Sequence, residues 1–129
     1  MTTVVRFRAP SGDYAIGVEH VSEVRSAADL TALPEPREGV AGLMRRDGDA
    51  LSVLSMLAPE GEHIVVVHVD QLSFGLLVEE VVGVQAVDDS DLGPPPPGQD
   101  RVVVSGVFHD DETLVLVLDV HALAAKLSS

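Results

Sequence analysis

The sequence predicts an all-β fold made from two copies of one module, and three observations carry that prediction. The first is composition. Of 129 residues, 46% are hydrophobic, mean hydropathy is +0.26, and the aromatic side chains are Phe7, Tyr14, Phe74 and Phe108, so the core must be built from Val, Leu, Ile and Ala. β-branched Val packs well on a pleated surface and points to strands. The second is a hairpin, Val40 to Leu54, in which Asp47-Gly48 separates two apolar runs. That dipeptide favours the positive φ values a tight two-residue turn needs. The third is that the chain writes this hairpin again.

Val104 to Leu118 repeats Val40 to Leu54 at an offset of 64 residues, with Val40/Val104, Gly42/Gly106, Asp47/Asp111, Val53/Val117 and Leu54/Leu118 identical, and turns on Asp110-Asp111-Glu112. Upstream, Tyr14 to Val24 lines up with Phe74 to Val84 at an offset of 60, with Val18/Val78, Glu19/Glu79, Val21/Val81 and Val24/Val84 identical. Order and spacing are both kept, which valine-rich composition alone does not produce. The chain therefore reads as an internal duplication with a period near 60 residues. Two copies are too few for a solenoid, which needs at least about three.

Taken in order, Val4 to Arg8 alternates as a strand and Ala9-Pro10-Ser11-Gly12 breaks it. Tyr14 to Val18 is a second strand. In Val21-Ser22-Glu23-Val24-Arg25, Val21 and Val24 are expected near the core, with Glu23 and Arg25 free for solvent or a partner. Strict alternation does not put Val21 and Val24 on one face, so a bulge or helical turn is expected between them. Ser26 to Gly39, with Pro34 and Pro36, reads as a loop before the hairpin. Leu57 to Glu62 is a short polar bridge. His63 to Val69, Ser73 to Val78 and Val81 to Val87 read as strands, and Asp88 to Asp100 as an exposed loop in which Pro94 to Pro97 form a stiff polyproline II spacer. Val102 to Phe108 and Thr113 to Leu118 form the second hairpin, and Val120 to Leu127 a short terminal helix.

The halves, roughly residues 14–62 and 63–118, each hold about five short strands, with the strand at 3–8 and the helix at 120–127 packing across them. Half a chain of this size buries too little surface to be safely stable alone, so the halves are expected to pack as small barrels with a cleft between them, forming a single domain.

The charge excludes some functions. Twenty-one acidic against eight basic residues give −13, which argues against a nucleic-acid partner and against direct contact with an anionic membrane. With no cysteine, disulfides, thiolate metal sites and thiol nucleophiles are all absent, and no apolar run reaches membrane-spanning length, so a soluble cytoplasmic protein is expected. His20, His63, His68, His109 and His121 form no recognised metal-ligand spacing. Glu79 and Glu80 are adjacent on a strand and point to opposite faces, which does not suit acid-base chemistry. No nucleophile elbow, P-loop or dinucleotide glycine pattern appears. The residues offer no catalytic site, metal site or cofactor site. They describe a binding module.

In this order and spacing the motifs resemble the CheW-like family, the adaptors of bacterial chemotaxis. The resemblance rests on Phe7 to Ile16, on Val21-Ser22-Glu23-Val24, on Leu33-Pro34, on Val40-Ala41-Gly42 with Leu51 to Leu57, on Gly75 to Val78 with Glu80 to Val84, and on Val104 to Val107. It implies two intertwined five-stranded SH3-like barrels with no catalytic activity. It also implies two partners, the regulatory domain of the histidine kinase CheA and the cytoplasmic tip of a chemoreceptor. By position, the receptor groove would involve Val21, Glu23, Arg25, Gly42 and Leu43, with Arg45, Arg46 and Asp47 at the hairpin turn, and the kinase edge would begin at His63 and Ile64. The chain departs from the family pattern at that turn. Asp47 stands where the family usually has an arginine, and Ser52 and Ser55 replace the usual proline and aspartate. The resemblance therefore implies an adaptor coupling receptor to kinase, or alternatively a stand-alone CheW-like module of another signalling system that has lost one surface.

Overall fold

The computed structural model describes residues 1–95 and 103–127. The strands are β1 (Thr2–Ala9), β2 (Gly12–Gly17), β3 (Val21–Ser26), β4 (Leu30–Arg37), β5 (Val40–Arg46), β6 (Asp49–Leu54), β7 (His63–Val69), β8 (Leu72–Val78), β9 (Glu80–Val87), β10 (Val104–Asp110) and β11 (Thr113–Leu118). Single turns of 3₁₀ helix lie at Val18–His20, Ala27–Asp29 and Asp89–Asp91, and helix α1 spans Val120–Leu127. Asp119 starts α1 by accepting from the His121 and Ala122 amides at 3.0 and 3.1 Å, and Val120 and Leu123 are its buried residues.

The strands form two mixed sheets, one in the order β10-β11-β2-β1-β9 and the other β3-β7-β8-β6-β5-β4. Each sheet takes its central hairpin from the other half of the chain. β1 and β2 join β9, β10 and β11, while β7 and β8 join β3 to β6. That reciprocal exchange makes the barrels intertwined.

The duplication holds at the level of individual backbone pairs. Val4 to Ala9 on Gly17 to Gly12 has the register of Ile64 to Val69 on Leu77 to Leu72, sixty residues on, and the β10–β11 hairpin has the register of β5–β6, offset by 64. Irregularities repeat as well. The step between Val21 and Glu23 against β7 recurs between Val81 and Gly83 against β1, and the step between Val40 and Gly42 recurs between Val104 and Gly106. The bulge expected after Val21 is therefore present. The hairpin turns also form as expected, with φ of 51° at Asp47, 86° at Gly48 and 53° at Asp111.

Two expectations are corrected. Ser26 to Gly39 is not a loop: after the turn at Ala27–Asp29 it forms β4, which pairs Leu30, Thr31 and Ala32 with Met44, Leu43 and Gly42 before the register breaks. Pro34 and Pro36 are tolerated because β4 is the outermost strand, where a missing N–H breaks no ladder bond. Its counterpart in the other sheet is one bridge, with Gly93 N donating to Val107 O at 2.8 Å and Val107 N to Gly93 O at 3.0 Å. The prolines at 94 and 95 cannot donate, so pairing stops there and that sheet has five strands against six. The second correction is Val24, which is 42% exposed, while Val21, Glu23 and Arg25 are half-buried, because the bulge inverts the alternation. Pro96 and Pro97 of the expected spacer, and Val102 of the expected strand, lie outside the described residues.

Three apolar clusters hold the fold. The largest lies between the barrels, where Phe7, Tyr14 and Ile16 meet Val67, Phe74 and Leu76, with Leu123 of α1 at its margin. Burying each such side chain contributes about 1.5–3 kcal/mol. The barrel interiors are smaller. One contains Val4, Ala15, Val87, Phe108 and Val115, and the other Met44, Leu51, Val53, Ile64, Val66 and Leu77.

Candidate protein-binding surfaces

Two grooves meet on the outer side of β4, β5 and β6. Past Ala32 the backbone of β4 leaves β5 and returns only at Arg37, which pairs with Val40. The arch leaves a groove of ≈ 380 Å³ lined by Leu33, Pro34, Glu35, Val40 and Leu43, among others. A second groove of ≈ 590 Å³ shares Arg37, Val40 and Ser52 with it and continues past Met56 to Leu127 at the end of α1. Apolar walls with a basic and an acidic side chain at the rim suit an amphipathic partner segment.

Gly42 fixes where the arch begins. A Cβ there would sit inside contact distance of the Thr31 carbonyl oxygen and 3.1 Å from Leu30 Cδ1, so β4 closes on β5 only because this position has no side chain.

The residues expected at a receptor groove do not converge on one spot. Gly42 and Leu43 belong to the arch. On β3, Arg25 donates to Glu23 Oε1 at 2.9 Å through Nη1 and to Asp29 Oδ2 at 2.9 Å through Nε, and hydrogen bonds to Glu23 and then Asp29 hold its pKa above the ordinary arginine value. Those charges are matched within the chain. Val21 packs against the inter-barrel core instead of standing free. Arg45 is exposed, and Arg46 reaches away from the arch to donate to Ser73 Oγ on β8 at 3.3 Å. Asp47 supplies the left-handed residue of the hairpin turn. The expected kinase edge is corrected: β7 is paired on both sides, by β3 and β8, and Ile64 is fully buried in a barrel interior. The outermost strands are β4 and β3 in one sheet and β9 and β10 in the other.

Reading the sequence missed two features. Leu33, Pro34 and Arg37 line the arch, and the signal for them was the proline pair in an apolar stretch. The other is Arg6, only 6% exposed, inside the β1–β2 barrel. Its Nη2 donates to Asp13 Oδ2 at 2.9 Å, and its Nη1 to Gln85 Oε1 at 3.1 Å and to Asp110 Oδ2, while Nε has no partner. The signal was Arg6 alternating with Val5 and Phe7, on the same side of β1 as Val4.

Among the described residues, no three His, Asp or Glu side chains lie close enough to hold a metal ion, and no helix is long and apolar enough to cross a membrane. The class defined by these observations is a duplicated double-barrel β module with open apolar grooves. The model of the CheW-like domain matches residues 3–128, and the chain belongs to that family. Among solved structures it is similar to the scaffolding protein TtCheW from Thermoanaerobacter tengcongensis, at 23% identity over 95% of this chain and 86% of that one, with a TM-score of 0.83. A search of the curated proteins returns no significant match.

Proposed function

We propose that the chain is a non-catalytic adaptor of bacterial chemotaxis that holds a chemoreceptor tip and a CheA-type histidine kinase side by side in the cytoplasm. Membership of the CheW-like family carries this reading. The arch groove is the receptor site in it: Val40 and Leu43 anchor the apolar face of a helix and Arg37 meets an acidic side chain at the rim. The kinase takes a different surface, so both partners bind at once.

The test uses Leu43→Asp, which places an unpaired charge against the incoming apolar face at a half-buried position. Receptor capture falls at least tenfold, kinase capture is unchanged, and the melting temperature stays near wild type. Val21→Asp discriminates less well than the sequence suggested, because Val21 packs on the core and its loss lowers stability too.

One observation favours the second reading, a stand-alone module with one surface lost. The family's usual turn arginine is Asp47, and the nearby Arg46 is engaged with Ser73. In that case Leu43→Asp leaves receptor capture unchanged because wild type captures none.

A further inference from the structure

The outer strand β9 differs from its repeat partner β3 in a way the fold does not require. Val84 and Ala86 correspond to Val24 and Ser26, and the bulge residue Val82 to Ser22. Val84 is 67% exposed and Val82 42%, although a serine is tolerated at the matching bulge position of β3. Val84 and Ala86 lie opposite Val5 and Thr3 of β1, so they share one face of the sheet. Along Glu80–Val87 the second edge of β9 pairs with no strand among the described residues, the closing bridge being made beyond it by Gly93. Unpaired backbone next to exposed valine is a template for strand addition.

Charge says which strand. Glu79 and Glu80 stand before the valines, and Asp88 and Asp89 after them, all exposed. Hydrogen bonds from the Ser90 amide and hydroxyl hold the Asp88 carboxyl below its ordinary value, and those from the Thr2 hydroxyl and the N-terminal amine do the same for Asp89, so this flank stays anionic at neutral pH. The two acidic flanks are separated by about 25 Å of extended chain. A second copy of this protein is a poor occupant: antiparallel β9 edges would bring the Glu pair of one onto the Asp pair of the other, between molecules each carrying −13.

We infer that β9 is a third docking edge, which accepts an extended segment of about eight residues with alternating apolar side chains bracketed by Lys or Arg. The inference is independent of the adaptor reading, whose surfaces lie on the other sheet. It is tested with ¹⁵N-labelled full-length chain and two synthetic peptides, one with the core Thr-Val-Thr-Val-Thr-Ile between Lys-Arg pairs and the other with the same core between Glu-Asp pairs. The basic peptide shifts and protects the amides of Glu80 to Val87. It binds at least tenfold more weakly to Val84→Lys, and within twofold of wild type to Val24→Lys, the matching change on β3. Glu79→Lys weakens binding and reduces its salt dependence. The inference is overturned if millimolar basic peptide leaves the β9 amides unmoved, if the acidic peptide binds equally well, or if Val84→Lys and Val24→Lys behave alike. It is overturned too if ultracentrifugation finds a dimer that Val84→Lys dissolves, since a second copy would then occupy the edge.

Discussion

Arg6 and Val66 occupy the same place in the two barrels, sixty residues apart, and their surroundings are reversed in polarity. Around Arg6 stand Asp13, Gln85 and Asp110, all accepting from its guanidinium. The matching positions around Val66 are Ser73, Arg25 and Arg46, two of them cationic. One interior is closed by an ion-paired arginine and the other is apolar, with its arginines paired at the rim or turned to Ser73. Register, bulges and turn caps survive duplication because the backbone needs them. Interior polarity has drifted, because a barrel needs only that what it buries is satisfied.

Exchanging the interiors is the sharpest way to break that comparison. Val66→Arg buries a guanidinium with no carboxylate at the matching positions, and the expected loss is about 4 kcal/mol or more by urea denaturation. Arg6→Val leaves Asp13 and Asp110 without their cation and costs about 3 kcal/mol, moderated because Asp110 is partly open to solvent. Adding Asp13→Ser to Arg6→Val copies the other barrel and regains part of the loss. If Val66→Arg is as stable as wild type, the two interiors do not differ in the way described.

The matched glycines give a smaller contrast. At Gly42 a Cβ meets both the Thr31 carbonyl and Leu30, whereas at Gly106 it meets only Gly93 O at 2.9 Å, beside a single bridge. Gly42→Ala is expected to cost about 2–3 kcal/mol and Gly106→Ala about 1 kcal/mol. Equal melting temperatures for the two variants would remove the distinction between a paired β4 and a lone bridge.

The smallest effect is at the 3₁₀ turns. Ser26 caps the first by accepting from Ala28 N, and Asp88 caps the third by accepting from Ser90 N. Only the aspartate titrates. Its pKa is lowered on folding, so its contribution is complete above the ordinary value of 3.8 and is lost as pH falls through the depressed folded value. Thermal melts of Asp88→Ser are expected to fall slightly less steeply than wild type over that acid range. An identical pH profile would mean the cap contributes nothing.

The repeat, both hairpins, the bulge after Val21 and the terminal helix were legible because each depends on local chemistry: Asp-Gly turns, valine alternation, an alanine-rich end. β4 was not, because Pro34 and Pro36 read as a loop until the strand is known to be outermost. Ile64 was expected at an open edge, but a seven-residue apolar strand paired on both sides looks in sequence like one paired on a single side. Arg6 escaped notice because its acceptors lie 7, 79 and 104 residues away. For the binding surface, Leu43 and Gly42 were legible and the arch that makes them a groove was not, since it arises from where β4 leaves its neighbour.

The central claim is that a doubled β module without reactive chemistry keeps two other proteins together. Light scattering coupled to size exclusion, on the full chain mixed with a kinase regulatory domain and a receptor cytoplasmic fragment, tests it directly. One species with the summed mass of all three is predicted. Separate binary complexes that exclude each other, or no complex with either partner, would contradict it.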